Sequence, residues 1–171
     1  HIFLLQIWGR LVEEMGTAAP KLVLVGRRGW ENENAVDLLE RAPHIRDHVI
    51  ECANLPDSAL IRLIVNARAT LFPSYVEGFG LPVAESLALG TPVICSDIPV
   101  LREVAGRFAH LIDPLDGMGW LQAIKQYAQQ NALQTQLTRA RVGSYRPQTW
   151  SNHMQAFDNV ISALFKMDLA A

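Results

Sequence analysis

The 171-residue sequence has no run of 18 or more apolar residues, and no basic segment leads into an apolar one at its start. Neither a membrane-spanning helix nor a secretory leader is therefore expected, and a soluble domain is. Cysteine is scarce: Cys52 and Cys95 are the two present, each inside an apolar run. A disulfide-stapled secreted scaffold needs more, so the pair reads as reduced core thiols of a reducing, cytoplasmic compartment. An excess of one charge is also lacking, with 15 Lys+Arg against 17 Asp+Glu and a formal net charge of -2. Without a legible basic patch, nucleic acid is excluded as a partner. The five histidines at 1, 44, 48, 110 and 153 do not cluster. His44 and His48 are four apart, but in what reads as a loop before a strand and without a carboxylate, so neither a metal site nor a cofactor is expected. There is no internal repeat and no low-complexity linker.

What is present is an alternation. Half the residues are hydrophobic and 19% are charged, enough for one ordinary domain spanning 1–171 with its own core. Apolar residues recur at helical spacing from Ile2 to Met15, with Gly16 as a C-cap. "KLVLVG" (21–26) reads as a strand buried on both faces, "NAVDLLERA" as a short helix and "HVIECANL" as the next strand. Asp57 is an expected N-cap for "SALIRLIVNAR", followed by the strand "ATLFPS". "LPVAESLALG" is a helix with Pro82 in its first turn and Gly90 closing it; "TPVICSD", "VLREVAG" and "FAHLIDP" follow as strand, helix and strand. Two helices are expected to complete the chain, "GWLQAIKQYAQQN" and one over about 149–167. Strands too apolar for a one-sided sheet, alternating with helices, predict a doubly wound parallel α/β sheet of Rossmann type.

The stretch from 73 to 85, "PSYVEGFGLPVAE", joins an expected strand to an expected helix. In parallel α/β sheets, ligands bind where such loops leave the carboxyl ends of strands. Gly78 and Gly80 let backbone N–H groups approach a ligand, and the helix start adds unsatisfied donors and partial positive charge. Glu77 before the turn and Glu85 about one turn into the helix could both reach the rim of one pocket, where carboxylates accept hydrogen bonds from vicinal hydroxyls. The arrangement suits a nucleotide-sugar. The plain alternative is a Glu85 favoured by the helix dipole alone and a solvated Glu77. Asp97, at the end of its strand, reads as a helix cap rather than a cleft residue.

The run "PSYVEGFGLPVAESLALGTPVICSDIPVLREVAG" resembles the signature of the retaining glycosyltransferases of family 4, whose fold is called GT-B. Those enzymes carry two glutamates separated by seven residues in an E-G-F-G-L-P context, and Glu77 and Glu85 stand at that spacing, with Ser86 where alanine is usual. The resemblance runs through "LVLVG", "LPDSALIRLIVNARATLFPS" and "TW" at the last helix, and so covers the C-terminal, donor-binding half of such an enzyme. It implies that Glu77 faces the donor sugar as the catalytic glutamate and that Glu85 binds the ribose. Amides around Gly78, Phe79, Gly80 and Leu81 would contact sugar and diphosphate. Asn54 and Leu55 would lie near the base, with Gly26 and Arg27 lining the cleft. No metal is implied for donor activation.

The resemblance also marks what is missing. In the family a first strand and an Arg and a Lys that neutralise the diphosphate precede the helix that begins here at Ile2, and an N-terminal domain binds the acceptor. Arg27 and Arg28 lie on another loop and read as a solvated pair. The chain alone is expected to be inactive, with its last helix packing towards the acceptor domain. "VGRRGWENEN" resembles subfamilies of bacterial surface-polysaccharide assembly, which implies GDP-mannose or a similar donor, such as a dTDP-linked rhamnosyl donor. The acceptor would be a glycan or lipid-linked sugar, with the full-length enzyme peripherally associated with the inner face of the membrane. The competing reading is a non-catalytic nucleotide-binding or regulatory module. An epimerase or a receiver domain lacks support, since neither G-x-x-G-x-x-G nor an acidic cluster follows the first readable strand.

Overall fold

A computed structural model of the protein describes residues 1–29 and 33–168. Helix α1 (Ile2–Met15) turns Leu4, Leu5, Ile7, Trp8 and Leu11 into the core and ends at Gly16, whose φ of 56° suits the cap position. Its Trp8 Nε1–H donates to Pro20 O at 2.8 Å, pinning the helix to the segment that enters strand β1 (Leu22–Val25). Helices α2 (Glu33–Arg41) and α3 (Pro43–Arg46) lead to β2 (Val49–Cys52), which pairs with β1 in parallel. Helix α4 (Asp57–Asn66) crosses to β3 (Thr70–Phe72), α5 (Leu81–Ala88) to β4 (Val93–Ser96), and α6 (Pro99–Ala105) to β5 (His110–Ile112). The last three strands form a second parallel sheet in the order β3-β4-β5. Helices α7 (Gly117–Gln129), α8 (Ala132–Val142) and α9 (Trp150–Asp168) complete the chain.

One core ties the two sheets together. Leu5, Leu11 and Trp120 are fully buried beside Leu22, Ile94 and Ile112, so α1 and α7 cover strands of both sheets. Phe3 meets the edge of Trp120 with ring centroids 5.9 Å apart. At about 2 kcal/mol for each fully buried large side chain, this cluster is the main stabilising element. A second cluster, with Val83, Leu87, Val93, Leu101 and Val142, packs α5 and α6 against the far side of β4.

The parallel α/β class agrees with the sequence reading, and several details differ. β4 is buried along all four residues, but β1 is not two-sided: Leu22 is buried while Val23 and Val25 are 37% and 44% exposed. The helices packed on β1 lie on one face, and α4, which crosses from β2, has no buried residue. Among the described residues β1 and β3 do not pair, so each sheet has an open edge. Asp57 is not the cap of α4. Pro56 holds that position, and Asp57 sits in the first turn, where its charge favours the helix through the dipole. Residues 43–46, expected as loop, form α3, begun by Pro43 at a first-turn position. Helix α8 was not expected either. It buries Val142 alone, which leaves no apolar stripe to read, and starts on a capping box in which Asn131 and Gln134 serve each other's backbone N–H groups.

Candidate donor-binding site

The loop from Pro73 to Gly80 leaves the carboxyl end of β3 and feeds α5. Its last residue explains the glycine. Gly80 has φ +83°, and a Cβ there would lie 2.5 Å from Leu101 Cδ2 of α6, so a side chain is opposed by both backbone and packing. Gly80 O accepts from Val83 and Ala84 N–H, which starts the helix. Among the described residues, no intramolecular acceptor meets the N–H groups of Gly78, Phe79, Gly80 or Leu81. These four donors, at a helix start, are left open to an external acceptor.

Glu77 is partly buried, and Ser74 Oγ donates to its Oε1 at 2.6 Å, which restrains the carboxylate beside the turn. Glu85 is exposed in the second turn of α5. Around them Phe79 and Leu81 stand 48% and 60% exposed, an apolar rim beside the polar donors. A carboxylate at each end and unsatisfied amides between can accept from sugar hydroxyls and donate to phosphate or sugar oxygens.

The other expected residues gather at the carboxyl ends of β1 and β2. Gly26, at φ +139°, donates its N–H to Cys52 O at 3.0 Å. Arg27 Nε–H donates to Asn54 Oδ1 at 2.8 Å, joining the two loops, and Asn54 itself sits at φ +56°. Leu55 is partly buried in the same loop. Among the described residues no hydrogen bond or ion pair joins this Arg27–Asn54 loop pair to the Ser74–Glu77 loop. Arg28 is not a free solvated cation: it grips Glu51 with bonds of 3.1 and 2.8 Å and lies 3.9 Å from Glu40. That pairing raises the Arg28 pKa and holds Glu51 below the usual carboxylate range.

Asp97 does not cap α6, whose cap position is Ile98. Its carboxylate instead takes both Nε–H and Nη2–H of Arg102, and the hydrogen bond from Arg102 lowers its pKa. The roles of Ser74 and Arg102 go beyond the sequence reading. Ser74 as the orienter of Glu77 had a signal, the serine three residues ahead of a glutamate; the Asp97–Arg102 clamp, five residues apart, had none. Two buried hydroxyls, Ser86 Oγ in α5 and Ser96 Oγ in β4, have no hydrogen-bond partner among the described residues. Cys95 is buried, and desolvation pushes its thiol up to about 12, which makes it inert; Cys52 is partly buried, and neither is in a disulfide. His48 is buried with Nδ1 3.1 Å from Ala19 O, a packing role. Part of the "VGRRGWENEN" stretch, residues 30–32, lies outside the described residues.

Parallel sheets wrapped by helices thus place the glycine loop, with Glu77 before it and Glu85 after it, at the carboxyl edge where ligands bind in folds of this kind. The chain belongs to the family described as glycosyl transferases group 1, which matches residues 3–142. It is 33% identical over 149 residues to the O-antigen chain mannosyltransferase B of Escherichia coli, covering 87% of this chain and 39% of that protein. It is 40% identical over 85 residues to the O-antigen chain mannosyltransferase RfbU of Salmonella typhimurium, covering 50% of this chain and 24% of the relative. The chain thus spans well under half the length of these curated relatives. In fold it matches sucrose-phosphate synthase from Thermosynechococcus elongatus with a TM-score of 0.70 at 23% identity, over 94% of this chain and 42% of the other. TarM matches at 0.68 and 16% identity, over 91% and 31%. Family membership favours a transferase over a non-catalytic module.

Proposed function

We propose that the chain is the donor-binding, C-terminal half of a retaining glycosyltransferase of family 4 that moves a mannosyl group from a nucleotide-sugar to a growing surface polysaccharide or glycolipid. The observation that carries this is the cradle itself: Glu77 held by Ser74, four unmet amides from Gly78 to Leu81, and Glu85 on the helix that follows. Glu77 is assigned to the donor sugar, where its charge stabilises the positive character that develops at the anomeric carbon. Glu85 is assigned to the ribose hydroxyls. The amides meet the diphosphate and sugar oxygens, with the helix dipole favouring the negative charge that grows as the nucleoside diphosphate leaves. The acceptor oxygen bonds to the anomeric carbon as the carbon–phosphate oxygen bond breaks, on the same face, and the hydroxyl proton passes to the departing diphosphate. Arg27, linked to Asn54, is assigned to the cleft wall with Gly26, and Leu55 to the base.

Mannosyl transfer rests on the relatives named as O-antigen mannosyltransferases, and GDP-mannose is the donor this reading assigns. The rest of the enzyme belongs to the same proposal. A strand ahead of α1 would pair with the open edges of β1 and β3, and an acceptor-binding domain would cover the exposed Trp150, Met154 and Phe157 of α9. The cations that neutralise the diphosphate would come from outside these residues, so the chain alone binds donor weakly and transfers nothing. A thermal-shift comparison of GDP, UDP, dTDP and ADP tests the reading: GDP raises the melting temperature most, whereas a flat response to all four contradicts it.

A further inference from the structure

The sequence from Gly117 to Phe157 contains no Asp or Glu, while Lys125, Arg139, Arg141 and Arg146 lie within it. The stretch holds only its proportional share of the 15 Lys+Arg, but with every acid lacking it is net positive in a chain of formal net charge -2, and because Lys125 pairs with Glu14 of α1 at 2.6 Å the arginines carry that charge. At its centre α8 buries Val142 and turns Leu133 and Leu137 outward, 64% and 62% exposed and one helical turn apart. A hollow opens on each flank of this apolar ridge. One is lined by Arg68 and Arg139, the other by His110, Tyr127 and Arg141, and neither lining includes an acidic residue. Arg68 spends its Nη1 on Gln130 O and Thr135 Oγ1, and Arg139 spends Nη2 on Ala67 O at 2.8 Å, so both guanidinium groups are anchored with other N–H donors left over. Arg68 lies just before β3 and His110 opens β5, so the face belongs to the amino ends of these strands, whereas the Gly78–Leu81 loop leaves the carboxyl end of β3.

We propose that α8 and its two basic flanks form a docking surface for an anionic phospholipid bilayer. Leu133 and Leu137 enter the boundary between headgroups and acyl chains, while Arg68, Arg139 and Arg141 meet lipid phosphates on either side. Charge complementarity selects this occupant: a protein partner needs no acid-free surface, whereas a negatively charged bilayer repels every exposed carboxylate. The exposed stripe of α9 is a separate surface, interrupted by Asp158, and takes no part. The inference does not rest on the donor assignment, and contact through the amino ends of the strands leaves the glycine loop open.

Co-sedimentation of the 171-residue chain with vesicles tests it, comparing equimolar phosphatidylglycerol and phosphatidylcholine with phosphatidylcholine alone. Binding to the anionic vesicles is expected to be strong and to fall as NaCl rises from about 0.1 to about 0.5 M. The Leu133→Ser/Leu137→Ser variant should lower the partition coefficient about tenfold, and Gln136→Glu, on the same outer face, severalfold. Both alter exposed side chains, and an unchanged circular dichroism spectrum verifies folding. Trp150→Ser/Phe157→Ser on α9 should leave anionic binding intact. Equal binding to both vesicle types, binding to neither, or loss with the α9 pair and not with the α8 variants would overturn the proposal.

Discussion

Ser74 Oγ and Glu77 Oε1 are 2.6 Å apart, and this bond joins the end of β3 to the glycine loop that starts α5. A hydroxyl three residues upstream thereby aims a partly buried carboxylate. In the full-length enzyme Ser74→Ala should lower kcat roughly tenfold, leave KM for the donor within about twofold and leave the fold unaltered, because only the orientation of Glu77 is lost. Steady-state kinetics against a donor series checks this; an unchanged kcat would show that Glu77 is not held for catalysis.

Gly80 should tolerate no side chain. The Cβ of Gly80→Ala would sit 2.5 Å from Leu101 Cδ2 at a φ of +83°, so a loss of about 1–3 kcal/mol is expected in urea unfolding. Gly78, where an added Cβ meets nothing within 4 Å, should accept alanine at much smaller cost. Equal costs at the two positions would argue against the α5–α6 packing described.

Ser86→Ala should stabilise the protein. The hydroxyl is buried without a partner, and removing it relieves a desolvation penalty of about 1 kcal/mol. A lower unfolding midpoint in the variant would mean that the hydroxyl has a partner after all.

Stability should fall in acid in two stages. Burial, with Arg141 nearby, depresses the pKa of His110 below its ordinary 6.5, so the folded state disfavours the proton. That contribution is complete above pH 6.5 and declines below it. Hydrogen bonds from Arg28 and Arg102 depress Glu51 and Asp97 in the same sense, so their contributions decline below about pH 4.5 and about pH 4. Both pairs are exposed, so this stage should be small. Urea midpoints across pH 7 to about 4 test the order, and His110→Asn should flatten the first stage.

Much of this could be read from sequence because strong patterns fix it. The apolar stripe of α1, the unbroken burial of β4 and the glycines beside Glu77 follow from periodicity and φ requirements that one sequence displays. The one-sided burial of β1 could not, because "LVLV" reads the same whether one face or two are covered, and only the placement of α1 and α4 decides. Helix α8 was illegible for the opposite reason: its stability comes from a capping box and one buried valine, not from a stripe. Arg28 could not be separated from Arg27 by sequence, since its partner Glu51 lies 23 positions away, across the pairing of β1 with β2.

The central claim is that Glu85 holds the nucleotide, and isothermal titration of GDP-mannose into full-length enzyme tests it most directly. Glu85→Ala should weaken donor binding by about ten- to a hundredfold, the loss of a charge-assisted hydrogen-bonded pair to the ribose hydroxyls, while Glu77→Ala abolishes turnover with far less change in affinity. Unchanged affinity of Glu85→Ala for GDP-mannose and for the UDP-, dTDP- and ADP-linked donors would contradict the account.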